Sequence, residues 1–236
     1  MAGRLYEEAR YRVNGDRSLL VEYGDGIDLD VNEKVRAMWE LLRLHPPPGV
    51  EHVIPAYRSL ALIYDPLATN PSELKERLSA LEQELSRTVI PPARTVEIPV
   101  LYGGESGPDM EFVAETNGLT VEQVIAIHTS TFYHIFAVGF APGFCYLGGL
   151  DSRLSAPRLE TPRVRVPAGS VGIAESQTGV YPLESPGGWR LIGRTPLRLF
   201  NPEKASPFLY QQGDRIKFTP ISKSRFNELQ ARVKAR

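Results

Sequence analysis

Cysteine, long apolar runs and net charge are all scarce in this sequence of 236 residues. The single cysteine, Cys145, excludes a disulfide within the chain. No run approaches the roughly 20 apolar residues of a membrane helix, and residues 1–20 show no apolar signal core, so we expect no membrane contact and a cytoplasmic location. The 27 basic and 28 acidic residues leave a net charge of −1, which gives no reason to expect nucleic acid as a partner.

Self-contained catalytic motifs are also missing. The chain has no phosphate-binding loop of the Gly-x-x-x-x-Gly-Lys type, no Gly-x-Gly-x-x-Gly fingerprint and no His-Glu-x-x-His zinc helix. The run Ala168–Gly172 resembles a nucleophile elbow but lacks its first glycine, which favours a turn or oxyanion-donor role for Ser170. The scattered histidines predict no metal site, and Cys145 is interpreted as a small buried residue. His128 stays a candidate because it lies just before the glycine-rich region.

Glycine, proline and arginine are concentrated in residues 139–200. These positions hold 10 of the 20 glycines and 7 of the 20 prolines, which predicts short strands joined by tight turns. All seven basic residues of the region are arginines, against four acids. Arginine forks beside glycine amides and hydroxyl groups indicate an oxyanion-binding surface, and the alternative is that the arginines rim a barrel and keep it in solution.

The N-terminal part predicts an α+β fold. A first helix is expected after an N-cap at Asp28 or Asp30, and the spacing Asn70-Pro-Ser-Glu73 predicts the N-cap, first turn and N3 position of a second helix. Strand-like runs surround these helices in the order β-α-β-β-α, at residues 11–13 and 19–23, 50–54 and 59–64, with 95–100 as a possible last strand. This order predicts a small ferredoxin-like domain.

The composition changes after Pro91-Pro92, which predicts two domains, residues 1–90 and 91–236. The second domain is expected to begin with two short helices, one over residues 108–116 and one opened by the capping box Thr120-Val-Glu-Gln123. A buried strand over residues 132–140 and several short strands as far as Phe218 then predict a compact barrel or sandwich.

Three phrases in this region carry a family resemblance. They are Gly139-Phe-x-Pro-Gly-Phe-x-Tyr-Leu147, Arg165-Val-Pro-Ala-Gly-Ser-Val-Gly-Ile173 and Thr178-Gly-Val-Tyr-Pro-x-x-Ser-Pro-Gly-Gly-Trp-x-Leu-Ile-Gly-Arg-Thr-Pro196. Together they resemble the family that includes the first protein of allophanate hydrolase, KipI and the B protein of the prokaryotic 5-oxoprolinase. The resemblance implies an α+β domain followed by a cyclophilin-like β-barrel domain. Glu175 stands where the family more often has glycine.

The resemblance also implies a function that needs partners. The chain is expected to form a heteromeric 5-oxoprolinase with the companion A and C proteins, opening the lactam 5-oxo-L-proline to L-glutamate with ATP hydrolysis. ATP is expected at the level of the complex, and the lone chain is expected to be inactive. Two alternatives stay open: an inhibitor of a sensor histidine kinase, and one half of a carboxyltransferase module acting on urea.

We expect the site residues to converge on one groove of the barrel. Arg194, Ser170 and His128 are the candidates for catalysis. The candidates for substrate binding are Phe140, Pro142, Tyr146, Arg165, Pro167, Gln177, Thr178, Tyr181, Ser185, Gly187, Gly188, Trp189 and Thr195. Arg194 is expected beside the amides of Gly187 and Gly188, where its guanidinium would complete a cradle for an anionic oxygen.

Overall fold

A computed structural model describes residues 3–234. The chain divides into two compact units, Met1–Pro92 and Ala93–Arg236. The domain boundary expected from the sequence, between residues 90 and 91, lies within two residues of this division. That each unit folds as an independent domain stays a prediction.

The first unit is an antiparallel four-stranded sheet with two helices. The strands lie in the order β1-β2-β4-β3. The strands are β1 (Leu5–Val13), β2 (Ser18–Gly24), β3 (Val50–Pro55) and β4 (Ser59–Tyr64), and the helices are α1 (Leu29–Leu44) and α2 (Pro71–Glu82).

Both helices begin where the sequence predicts. The Asp28 carboxylate accepts the Asp30 amide at 2.9 Å, which makes Asp28 the N-cap of α1. The Asn70 side chain accepts the amides of Ser72 and Glu73 at 3.0 and 3.1 Å and caps α2. The caps satisfy amides that a helix start leaves without partners, so both predictions are confirmed.

The predicted last strand of the first unit is wrong. Strand β5 (Thr95–Tyr102) lies in the second unit, where it pairs in parallel with residues 215–220 and antiparallel with residues 190–194. The edge position beside β2 is taken by β1 instead, which reaches it through the short turn at Asn14 and Gly15. A hairpin between adjacent strands closes a much shorter loop than a return of the chain after α2. A ferredoxin-like topology is therefore not confirmed.

The second unit is built on a closed barrel of seven strands within the described residues, in the order β10-β7-β6-β13-β5-β12-β9. The remaining barrel strands are β6 (Tyr133–Val138), β7 (Cys145–Gly148), β9 (Ser170–Ala174), β10 (Gln177–Val180), β12 (Arg190–Arg194) and β13 (Arg215–Pro220). Strands β8 (Arg163–Val166) and β11 (Ser185–Gly187) form a separate ribbon.

Three helices complete this unit: α3 (Met110–Thr116), α4 (Val121–Ser130) and α5 (Lys223–Lys234). The capping box at the start of α4 is confirmed, because Thr120 and Gln123 exchange side-chain and backbone hydrogen bonds. Helix α5 was not predicted from the sequence. In the part of the chain that is described, no helix is long and apolar enough to cross a membrane. Likeness to cyclophilin stays a prediction.

Candidate functional site

Five aromatic rings line a small open pocket in the second unit. Phe144 lies at its centre, with the Tyr181 and Trp189 rings each 5.6 Å away in edge-to-face contact and Tyr146 at 5.0 Å. Phe140 completes the wall at 5.6 Å from Phe144. The pocket has a volume of about 130 Å³ and is lined by Phe140, Phe144, Tyr146, Arg158, Tyr181, Pro186, Gly187, Gly188 and Trp189. We call it the aromatic pocket.

Glycine and backbone geometry shape this pocket. Phe140 has a φ of 70°, which is rare for a bulky residue, and its side chain is 72% exposed. A Cβ at Gly187 would collide with the Tyr181 hydroxyl, and one at Gly179 would lie 3.0 Å from the Trp189 ring. The sequence therefore needs glycine at these two positions so that the Tyr181 and Trp189 rings can lie against the backbone.

Arg158 brings a positive charge to the aromatic pocket. Its guanidinium lies 5.9 Å from the centre of the Trp189 ring, within the range of a cation–π contact. Burial raises the pKa of both Tyr146 and Tyr181, and the charge of Arg158 opposes that rise in each case. Within residues 3–234 no carboxylate lies within 4.0 Å of Arg158 in an ion pair. The pocket thus joins apolar rings to a cation that is available for an anionic group.

Asp109 holds the Trp189 side of the pocket in place, although no sequence pattern singled it out. Its carboxylate is 9% exposed and accepts the Leu191 amide at 2.6 Å and the Arg163 guanidinium at 2.8 Å. Arg163 also donates to the Trp189 carbonyl at 3.4 Å. An aspartate just before a short helix signals an N-cap in the sequence, whereas here it makes no side-chain cap bond to α3.

His128 lies in the core and not in the pocket. Its Nε2 is 2.9 Å from the Thr178 hydroxyl, which donates to the Gly172 carbonyl at 3.0 Å. Because a carbonyl only accepts, the Thr178 oxygen accepts the Nε2 proton, and Nδ1 accepts the Tyr102 hydroxyl at 2.8 Å. We call Tyr102, His128 and Thr178 the His128 chain.

The His128 chain is fully satisfied and closed to solvent. His128 and Thr178 are 0% exposed, and the His128 ring packs 4.6 Å from Phe218. Burial lowers the pKa of His128 to about 3, since the charged imidazole would lose its hydration. It also raises the pKa of Tyr102 well above its usual value. The burial leaves His128 and Thr178 no surface with which to touch a substrate.

Ser170, Arg194 and Thr195 hold a turn together. The Ser170 hydroxyl donates to the Pro167 carbonyl at 2.7 Å, and Arg194 Nε donates to the Ala168 carbonyl at 2.9 Å. The Thr195 amide donates to the Gly169 carbonyl at 2.8 Å. These bonds join the turn before β9 to the end of β12. Arg194 does not line the aromatic pocket, so the expected cradle of Arg194 with Gly187 and Gly188 is not formed.

The other predicted residues also lie outside the pocket lining. Arg165 pairs with Glu184 at 2.7 Å, with 76% of its side chain exposed. Ser185 lies opposite Val166 in the β8–β11 ribbon, and Gln177 opposite Ala174 in the barrel. Pro142 lies in the loop after Phe140. Of the predicted set, the pocket collects Phe140, Tyr146, Tyr181, Gly187, Gly188 and Trp189, and adds Phe144, Arg158 and Pro186.

Neither Cys145 nor a metal site contributes to the chemistry of the pocket. Cys145 is fully buried, and burial raises the pKa of its thiol to about 11, as expected for a packing residue. Among residues 3–234, no three His, Cys, Asp or Glu side chains come together as metal ligands.

With the geometry described, likeness to known proteins identifies the family. The carboxyltransferase domain, subdomains C and D, matches residues 9–210. The chain belongs to this family. It is 43% identical to the 5-oxoprolinase B protein of Bacillus subtilis, over 92% of this chain and 96% of that protein. It is 41% identical to the 5-oxoprolinase B protein of Escherichia coli O157:H7, over 91% and 97%.

The fold is shared more widely than the sequence. The crystal structure of the K. lactis urea amidolyase matches with a TM-score of 0.76 and 22% identity. That match covers 95% of this chain and 15% of the amidolyase chain. This likeness concerns the fold alone.

Proposed function

We propose that this chain is the B protein of a heteromeric, ATP-dependent 5-oxoprolinase. The observation that carries the proposal is the identity of 43% and 41% to two proteins of that name, each over more than nine tenths of both chains. The chain acts with the companion A and C proteins, and by itself neither hydrolyses ATP nor opens the lactam. The lack of a self-contained nucleotide or catalytic motif in the sequence supports this dependence.

The chemistry explains the need for ATP. A lactam is a poor electrophile because its nitrogen donates electrons to the carbonyl. Transfer of the γ-phosphoryl group to the lactam oxygen leaves ADP and makes the ring carbon reactive. Water then adds to that carbon, the C–N bond opens and phosphate is released, which leaves the new carboxylate of glutamate. Such a pathway needs groups that bind and orient anions more than it needs a nucleophile on the protein.

The aromatic pocket is our proposed contact site for 5-oxoproline on this chain. The substrate is a flat five-membered ring with one carboxylate. The Phe144, Tyr181 and Trp189 rings present apolar edges and faces for the ring, and Arg158 is placed to pair with the carboxylate. The pocket volume of about 130 Å³ suits a ligand of this small size.

Reconstitution tests the proposal. The chain is expressed alone and with the A and C proteins, and ADP, phosphate and glutamate are measured with and without 5-oxo-L-proline. We expect product only from the assembly, with ADP and glutamate formed in step. An assembly that makes no glutamate, or an isolated chain that makes it at the same rate, contradicts the proposal.

The fold shared with urea amidolyase supports a second candidate, one half of a carboxyltransferase module acting on urea. The same assembly is therefore offered urea and bicarbonate with ATP in a parallel reaction. Turnover of urea without turnover of 5-oxoproline would favour this second function.

A further inference from the structure

A second pocket in the unit Ala93–Arg236 carries positive charge. Its volume is about 310 Å³, at the lower end of the range of small-molecule sites. Three cationic side chains, Arg94, Arg198 and Lys204, line it together with the apolar side chains of Phe208 and Leu209. We call it the basic pocket. It shares no lining residue with the aromatic pocket.

A buried acid orients Arg94 in the basic pocket. Arg94 Nη2 and Nε lie 2.6 and 3.4 Å from the two carboxylate oxygens of Asp214, which is 1% exposed. Asp214 also accepts the amides of Arg94 and Gln211 at 3.1 and 3.0 Å. The guanidinium is thus fixed before any ligand arrives, which lowers the entropy that binding must remove.

Arg198 and Lys204 add two charges that no acid neutralises. Neither has a carboxylate within 4.0 Å in an ion pair among the residues the structure describes. Arg198 Nε donates to the Phe200 carbonyl at 3.2 Å, which holds its stem against the loop. Glu203 belongs to the same loop but does not line the pocket. The pocket therefore favours an anion, and two unneutralised cations favour a doubly charged one.

The wall of the basic pocket is flat and apolar. The Phe208 ring packs on Phe200 with ring centres 5.2 Å apart and is 40% exposed. Leu209 is tied to Leu199 by a backbone hydrogen bond of 3.0 Å. A planar group of a ligand can lie against Phe208 while its charged group meets the cations.

We infer that the basic pocket binds a phosphate-bearing small molecule with a flat apolar part, such as a nucleotide. A phosphate group carries up to about two negative charges near neutral pH and several acceptor oxygens, which matches two unpaired cations beside a fixed guanidinium. This inference goes beyond the proposed function and does not rest on it, because it concerns binding by this chain alone.

The test uses the isolated full chain and three probes, ATP, ADP and inorganic phosphate, in calorimetry at low salt. We expect ATP to bind, and the double variant Arg198→Ala/Lys204→Ala to weaken that binding by at least about tenfold. Phe208→Ala should weaken ATP but leave inorganic phosphate within about twofold, because phosphate alone has no planar part.

The matched control is Lys223→Ala/Arg225→Ala, which removes two exposed cations of α5 that do not line the pocket. It should leave ATP affinity within about twofold, and thermal melts should show that every variant is folded. Absence of binding by all three probes up to about 5 mM overturns the inference. So does equal weakening by the control, which would mean general charge attraction. Neither result bears on turnover by the full assembly, so failure here is distinguishable from failure of the proposed function.

Discussion

The aromatic pocket and the His128 chain both contain residues predicted to meet a substrate, and they lie in opposite environments. In the His128 chain every side-chain donor and acceptor discussed has an internal partner, and His128 and Thr178 are 0% exposed. In the aromatic pocket Phe140 is 72% exposed and Arg158 has no acid partner among residues 3–234. Polar residues with complete internal bonding hold the fold, whereas open groups at a concave surface are free for ligands.

The largest expected effect comes from removing the centre of the His128 chain. His128→Ala should lower the free energy of unfolding of the second unit by about 3–5 kcal/mol, because it leaves a cavity and strands the Tyr102 and Thr178 hydroxyls. Urea unfolding measures this by fluorescence of Trp189 in a Trp39→Phe background, since the chain has two tryptophans, one in each unit.

His134→Ala is the matched control for this change, because His134 is a half-buried histidine on the same barrel. It should cost no more than about 1 kcal/mol. If the two variants are equally stable, the His128 chain does not support the fold in the way described.

The second prediction uses pH to test whether His128 is neutral. Burial lowers its pKa to about 3, while an unfolded chain has an ordinary histidine pKa near 6.5. Between these values the unfolded state binds a proton that the folded state does not, so stability falls as the pH falls. Between pH 7 and 5 the loss from this group is at most about 2 kcal/mol.

The pH dependence is measured by urea unfolding of the wild type and of His128→Gln, which keeps one donor and one acceptor. The wild type should lose more stability than the variant over this interval. Identical pH slopes in the two proteins would show that His128 is accessible to protons in the folded state.

The third prediction concerns the pocket side of the comparison. Arg158→Ala should lower kcat/KM for 5-oxoproline in the assembled enzyme by at least about tenfold, or about 1.4 kcal/mol, with little change in melting temperature. Arg153→Ala is the control, since Arg153 is an exposed arginine paired with Asp151 outside the pocket. Full activity of the Arg158 variant would remove the proposed carboxylate contact.

The smallest expected effect is at Arg194. Arg194→Lys loses the Nε donor to the Ala168 carbonyl, so it should cost about 0.5–1.5 kcal/mol of stability and leave activity per folded molecule within about twofold. A thermal melt with a parallel activity assay separates the two quantities. A tenfold loss of activity with an unchanged melting temperature would return Arg194 to the substrate site.

The sequence by itself determined the local features and the family. The caps at Asp28, Asn70 and Thr120 join residues two or three positions apart, so the spacing of residue types was enough to predict them. The three long phrases were likewise enough to indicate the family, because they are read directly from the order of residues.

Only the tertiary structure decided which of the motif residues share a site. Arg194, Ser170 and His128 were expected beside Trp189, and the structure gives them partners in a turn and in the core instead. It also brought in Asp109, whose bond to the Leu191 amide spans 82 positions, and moved β5 into the barrel. Contacts over such separations depend on how strands close a barrel, and neither residue type nor spacing along the chain encodes that closure in a readable way.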